Sequence, residues 1–266
     1  MASPLEINMA GRVFAITGGA SGIGLATAEL LARHGAAAIW IADMQTSVFE
    51  TVQKHLSDLN KVTEIHLEKV DVSDSAQVEQ WVERIIAKSG VLHGAVNSAG
   101  ISYPFDSLFQ EEPVILREGS ELWRRVVNIN LEGTVHCTRA QVRAMLKMEK
   151  GSNPAIVNVS SAAAINHHVG AVAYAASKAS VSHFTTAMGN DLAAHGLRVN
   201  AVLPGAVYTP MLESSLGLKA PERTDNPTAA PRCIYPVDVA RAIVWLLSEN
   251  SLCVNGVNLP VGGLQP

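Results

Sequence analysis

Tyr174 and Lys178 stand four positions apart in the stretch Tyr174-Ala175-Ala176-Ser177-Lys178, so on a helix they share one face a turn from each other. An ammonium there favours the phenolate and lowers a tyrosine pKa from its ordinary ~10, as a general acid or base working near neutrality requires. Pairs at this spacing also bridge solvated helix surfaces, and two residues alone leave that alternative open.

A second chemistry-bearing stretch lies near the start of the chain. Thr17-Gly18-Gly19-Ala20-Ser21-Gly22-Ile23-Gly24 directly follows a β-branched run and opens a helical pattern. Glycines at that junction let the backbone approach a pyrophosphate, which then meets free N–H groups and the positive end of the helix. The spacing Gly-x-x-x-Gly-x-Gly departs from G-x-G-x-x-G, and tight strand-helix packing is the competing reading. Asp43 adds weight: it lies 19 residues beyond Gly24, at the end of the second strand, where a carboxylate accepts from adenosine ribose hydroxyls. It would repel the 2′-phosphate of NADP, and the following Met44 and Gln45 supply no cation, so NAD is the expected cofactor.

The elements that must position these residues alternate along the chain. Strands are expected at Val13 to Ile16, Ala38 to Ile41, Glu64 to Val70, Ala95-Val96, Ala155 to Val159, Arg198 to Leu203 and Gly256 to Leu259. Helices are expected near Gly22 to His34, Ser47 to Leu59, Ser75 to Ser89, Glu118 to Met148, Val172 to His195 and Val237 to Ser248. Ser73-Asp74 reads as a helix start, and Gly35, Gly90 and Gly196 as stops. This order predicts an α/β fold: a doubly wound parallel sheet of the Rossmann type, about seven strands, helices on both faces and one domain over 1–266. Thr17-Gly18, Asp43, Asp71, Asn97 to Gly100, Ser160-Ser161 and Pro204-Gly205 each follow a strand, which gathers polar and glycine segments at one edge of the sheet. Two stretches break the rhythm: Ser102 to Arg117, and the proline-rich Thr209 to Tyr235, read as a mobile lid over about 209–235.

Composition narrows the classes. Of 266 residues, 48% are hydrophobic and 17% charged, enough for a core and unlike a disordered chain. Lys and Arg number 20 against 24 Asp and Glu, so a net charge of -4 offers no footprint for nucleic acid or anionic lipid. No apolar run reaches the ~18 residues of a membrane span, and no targeting signal is legible, which makes the cytoplasm the expected compartment. Cys137, Cys233 and Cys253 are read as reduced, buried thiols, and no metal set is legible. The adjacent His167 and His168 point poorly at one metal and are expected on a pocket rim.

Taken together, Thr17-Gly18-x-x-x-Gly22-x-Gly24, Asn97-Ser98-Ala99-Gly100, Asn130, Ser161, Tyr174-x-x-x-Lys178 and Pro204-Gly205 resemble the short-chain dehydrogenase/reductase family, in order, from Gly11 to Gly263. The resemblance implies Tyr174 as catalytic acid/base and Ser161, 13 residues earlier, as hydrogen-bond partner of the reacting oxygen. Lys178 would lower the tyrosine pKa and hold the nicotinamide ribose, and Asn130 would anchor a water linking Lys178 to solvent. Ser160 is the competing serine, but the spacing to Tyr174 favours Ser161. The implied cofactor set is Gly18, Ser21, Gly22, Ile23, Gly24, Asp43, Asp71, Val72, Asn97, Ala99, Gly100, Tyr174, Lys178, Pro204, Gly205, Val207 and Thr209. Within it Asp71-Val72 meets the adenine, Asn97 borders the adenosine-side ribose and the central strand, and Val207 and Thr209 hold the carboxamide. Pro260-Val261-Gly262-Gly263 departs from the family's Asp-Gly-Gly close, with Val261 in place of the acid. Relatives commonly form tetramers through the two long helices, so a homo-oligomer is implied.

The expected reaction is NAD-dependent oxidation of a secondary alcohol to a ketone. Met211, Leu212, Leu216 and Leu218 with Tyr103, Phe105, Leu108 and Phe109 suit a bulky, weakly polar small molecule such as a steroid, terpenoid or polyketide-like alcohol. The alternatives are a ketoreductase using NADH or NADPH, a non-redox enzyme using Tyr174 for proton transfer, and a dinucleotide-binding regulator without turnover.

Overall fold

The computed structural model describes residues 6–103, 112–166, 171–216 and 233–262. The chain runs β1 (Val13–Thr17), α1 (Gly22–Arg33), β2 (Ala38–Asp43), α2 (Phe49–Leu59), β3 (Glu64–Lys69), α3 (Ser75–Ser89) and β4 (Gly94–Asn97). It continues with α4 (Val114–Arg117), α5 (Ser120–Val127), α6 (Gly133–Met145), β5 (Ala155–Val159), α7 (Val172–Leu192) and β6 (Arg198–Pro204). Last come β7 (Ala206–Val207), α8 (Pro210–Leu216), β8 (Cys233–Ile234), α9 (Pro236–Leu247) and β9 (Asn258–Val261).

Seven strands form one parallel sheet in the order β3-β2-β1-β4-β5-β6-β9, and β7 pairs with β8 beside it. The order reverses between β1 and β4, and the crevice outside the strand ends at such a switch point is where open α/β sheets take ligands. The seven strands correspond to the seven read from the sequence; the two-residue β7 and β8 are too short to leave a periodic signal.

Period-two side-chain alternation builds the core. Phe14 and Ile16 of β1 and Ile39 and Ile41 of β2 pack with α1, α2 and α9, through Leu31, Leu56 and Ile243. Val13 and Ala15 with Ala38 and Trp40 face the other way, onto Trp81, Ile85, Cys137 and Leu192 of α3, α6 and α7. Both faces of these strands are thus apolar, as a parallel sheet between two helical layers requires. Start and stop signals act as read: Asp74 Oδ1 accepts from Ala76 N at 3.0 Å and Gln77 N at 3.2 Å, and Gly90 ends α3 at φ 76°.

One helix is corrected. The expected continuous helix from Glu118 to Met148 is α5, a π-helical stretch over Asn128–Glu132, and α6. The wider winding coincides with a long-range hold: Asn130 is fully buried, its Oδ1 accepting from Ile101 N at 2.8 Å and its Nδ2 donating to Ile101 O at 3.0 Å. Nothing in the local apolar period announces that. Cys253 is exposed, not buried like Cys137 and Cys233, because it sits in the turn after α9. Residues 104–111 and 217–232, half of the first irregular stretch and most of the second, lie outside the described residues and include Phe105, Leu108, Phe109 and Leu218; His167, His168 and Gly263 lie outside them too. The described ends of the second stretch are α8 and β8. Among the described residues no helix is long and apolar enough to cross a membrane, and no three His, Cys, Asp or Glu side chains gather as a metal would need.

Candidate active site

A cavity of about 1410 Å³ opens at the carboxyl ends of the strands, lined by the glycine turn, Asp43, Asp71-Val72, Ala99-Gly100, Ser161, Tyr174, Lys178, Pro204-Gly205, Val207 and Thr209. That volume exceeds the ~300–1,000 Å³ of an ordinary small-molecule pocket and leaves room for a dinucleotide and a second molecule together.

The glycine turn is shaped for backbone approach. Gly18 has φ 65°, and a Cβ there would lie 2.8 Å from Ala99 Cα; a Cβ on Gly24 would lie 2.3 Å from Gly18 O. Only glycine lets β1, the turn and the loop after β4 meet this closely. Ser98 Oγ donates to Thr17 O at 2.7 Å and Ala99 N donates to Thr17 Oγ1 at 3.3 Å, closing the same contact. Ser21 precedes α1 in extended conformation with no side-chain cap bond, so the first N–H groups of α1 face the cavity unserved by a cap. Across the opening, Thr209 Cγ2 would be 3.2 Å from a Cβ on Gly22. The glycine turn and Thr209 therefore close on each other.

Asp43 sits at the end of β2 with Oδ2 accepting from Ala20 N at 3.0 Å and Oδ1 from Gln45 N at 3.0 Å. Each oxygen retains a lone pair for a hydroxyl donor, and the carboxylate also holds the glycine turn in place. Met44, Gln45, Asp71 and Ser73 line the cavity around it without a cation. These features fit a dinucleotide: an uncapped helix start for its phosphates, glycine cradles that a Cβ would fill, and a carboxylate at the ribose end.

At the other end β5, the turn after it and α7 converge. The Ser161 hydroxyl hydrogen-bonds Tyr174, which favours the phenolate, while burial acts more strongly and raises the Tyr174 pKa above its ordinary value. Lys178 is 5% exposed, donates from Nζ to Val159 O at 2.9 Å, and lies with Nζ 5.7 Å from the Tyr174 ring centroid. Burial brings its pKa down to about 8. The expected lowering of the Tyr174 pKa by Lys178 is thus not what the protein alone shows, because desolvation dominates at the phenol. Ser160 is spent elsewhere: its Oγ donates to Lys178 O at 2.8 Å and pairs with Ser182 Oγ at 2.8 Å.

Two expected residues stand behind the cavity wall. Asn97 is 3% exposed, with Nδ2 donating to Asn158 Oδ1 at 2.9 Å and Gln141 Oε1 at 3.1 Å, and Oδ1 accepting from Gln141 Nε2 at 2.8 Å. It ties β4 to β5 and α6, on the central strand of the sheet, and does not line the cavity. Asn130 spends both Nδ2 hydrogens, on Ile101 O and on Ser177 Oγ at 3.1 Å. It braces the loop beside Lys178, since a Cβ on Gly100 would lie 3.1 Å from its Oδ1 and 3.4 Å from Lys178 Nζ. Lining residues without a sequence signal include Glu121, Arg125, Asn166, Ser215 and Cys233, brought in from elements far apart in the chain.

The family model described as short chain dehydrogenase matches residues 12–217. A chanoclavine-I dehydrogenase of Penicillium roqueforti is 43% identical over 259 residues, covering 96% of this chain and 98% of that protein. A chanoclavine-I dehydrogenase of Aspergillus fumigatus is 42% identical over 258 residues, covering 96% and 98%. Among solved structures, levodione reductase superposes with a TM-score of 0.85 at 29% identity, covering 96% of this chain and 98% of that one. The 3-ketoacyl-(acyl-carrier-protein) reductase of Brucella melitensis, complexed with NADH, gives a TM-score of 0.81 at 29% identity, covering 96% and 98%. With the matching family model and these relatives along nearly its whole length, the chain belongs to the short-chain dehydrogenase family and is an oxidoreductase.

Proposed function

We propose that this protein is an NAD-dependent dehydrogenase that oxidises a hydroxyl group on a bulky, largely apolar small molecule of secondary metabolism. The observation that carries the reading is the convergence of Ser161, Tyr174 and Lys178 in one cavity whose far end presents the Asp43 carboxylate. In it, Gly18, Ser21, Gly22, Ile23 and Gly24 hold the pyrophosphate, Asp43 the adenosine ribose, Asp71 and Val72 the adenine, and Val207 and Thr209 the carboxamide. When bound, oxidised NAD supplies a hydride acceptor and a positive charge of the sign that favours a phenolate.

The chain's own groups do the proton chemistry. Tyr174 takes the proton of the substrate hydroxyl, Ser161 donates to the same oxygen and fixes its direction, and the Lys178 ammonium, with Nζ 5.7 Å from the ring centroid, adds a positive charge that offsets part of the burial cost of the phenolate. Asn130 keeps Ile101 and Ser177 in place beside them. The substrate end is lined by Ala162, Ala163, Ala171, Met211 and Leu212, which favours an apolar body over a phosphorylated one. The relatives' names make chanoclavine-I the first compound to test, alongside bulky secondary alcohols whose products are ketones.

The test is NADH formation, followed by absorbance, with purified protein, NAD or NADP, and that panel. Turnover with NAD on an apolar alcohol supports the reading. Turnover only of ketones with NADPH establishes the reductase direction instead, which the reductase names of the solved neighbours favour. A homotetramer built through α5, α6 and α7 belongs to the same proposal and is read from the light-scattering mass.

A further inference from the structure

The helix that carries Tyr174 and Lys178 lacks a cap of its own. Ala171 stands at the N-cap position of α7 with φ -148° and ψ 68° and makes no side-chain cap bond, as an alanine must. The N–H groups of the first helical turn have no partner within a helix, and α7 takes its partners from far upstream. Glu118 Oε1 accepts from Val172 N at 2.7 Å and Oε2 accepts from Ala173 N at 2.9 Å. The Tyr103 hydroxyl donates to Glu118 Oε1 and faces the backbone N–H groups of Ala173 and Tyr174.

Tyr103 closes the three-residue wall Ile101-Ser102-Tyr103 that leaves β4, of which Ile101 and Ser102 line the cavity. That wall is pinned at both ends. Asn130 grips Ile101 through its N–H and its carbonyl, while also bonding Ser177 of α7. Tyr103 and Glu118 grip the other end and the start of α7. We propose that Tyr103 and Glu118 form a clasp that caps the catalytic helix from the substrate wall, so that the wall and the Tyr174 hydroxyl keep one fixed relative position. Both are positioning residues, acting through Tyr174, and the inference rests on the reading of Tyr174 as the acid/base.

The chemistry requires this more than stability does. A small misplacement of a positioned acid/base costs rate steeply, whereas the pyrophosphate and adenosine ribose, which carry most of the cofactor's contacts in the proposed complex, are held by the glycine turn and Asp43 on other elements. Tyr103→Phe removes only the hydroxyl; Glu118→Gln keeps the shape and removes the charge and one acceptor oxygen. Hydrogen–deuterium exchange and steady-state kinetics on the two variants separate the possibilities. The clasp predicts exchange at the Val172, Ala173 and Tyr174 amides about tenfold faster than in wild type, with the rest of α7 unchanged. It also predicts NAD affinity within about twofold, kcat lower by roughly tenfold and KM for the alcohol raised.

Unchanged exchange in both variants overturns the clasp. Faster exchange with unaltered kcat and KM overturns the positioning role. Exchange needs no substrate, so a wild-type protein that oxidises no alcohol defeats the proposed function and leaves the clasp to be judged on exchange.

Discussion

Lys178 Nζ lies 5.7 Å from the centroid of the Tyr174 ring and is anchored to the Val159 carbonyl, so the cation is held by the end of β5 and not by the phenol oxygen. This buried ammonium has a cost that pH exposes. Its pKa is about 8 in the folded protein against 10.5 when solvated, so between those values the unfolded chain binds more protons. Stability from this group therefore rises with pH across that window and is lowest below about 8. Lys178→Met removes the buried charge while keeping most of the volume. Thermal unfolding of the variant should lose this component of the pH dependence between about 8 and 10.5, while kcat falls by about 10²-fold or more. A pH dependence of stability unaltered by the substitution assigns it to other groups.

Ser161 sets the direction of a second pH effect. Its hydroxyl is the interaction that opposes burial at Tyr174. Oxidation needs the phenolate, so kcat/KM for the alcohol should climb with pH. Ser161→Ala should move that rising limb to higher pH and lower kcat by roughly 10²-fold, since both phenolate stabilisation and the donor to the reacting oxygen are lost. A limb that stays in place would detach Ser161 from the tyrosine's titration.

Asp43 holds Ala20 N, and in the proposed complex it also accepts from the ribose hydroxyls. Asp43→Ala should weaken NAD binding by about tenfold, the worth of one charge-assisted hydrogen bond of ~1.5 kcal/mol, and narrow the preference against NADP. Tryptophan-fluorescence titration with both cofactors measures this. Equal losses for NAD and NADP would reduce Asp43 to a brace for the glycine turn.

How much of this the sequence carries follows from the distance over which each feature is built. The glycine turn, Asp43 and the Tyr174–Lys178 pair are local patterns whose geometry follows once β1, β2 and α7 exist, and all were legible. So was the sheet, because each strand is a short apolar run between helices. The network around Asn97 is not legible, because its partners stand 44 and 61 positions away and no spacing within β4 announces a buried carboxamide pair. The break at Asn128–Glu132 is invisible for the same reason, since it accompanies a bond from Asn130 to a loop 29 positions earlier. Glu118 carries no sequence signal beyond a helix start, because the α7 amide it accepts from stands 54 positions on.

Tyr174→Phe tests the central claim most directly, with NADH formation and NAD affinity measured on the same samples. The account predicts that kcat for alcohol oxidation falls by about 10³-fold, within the range lost with a positioned acid/base, while NAD binds within about threefold of wild type. A variant that keeps turnover within tenfold of wild type would contradict the assignment of Tyr174 as the group that moves the proton.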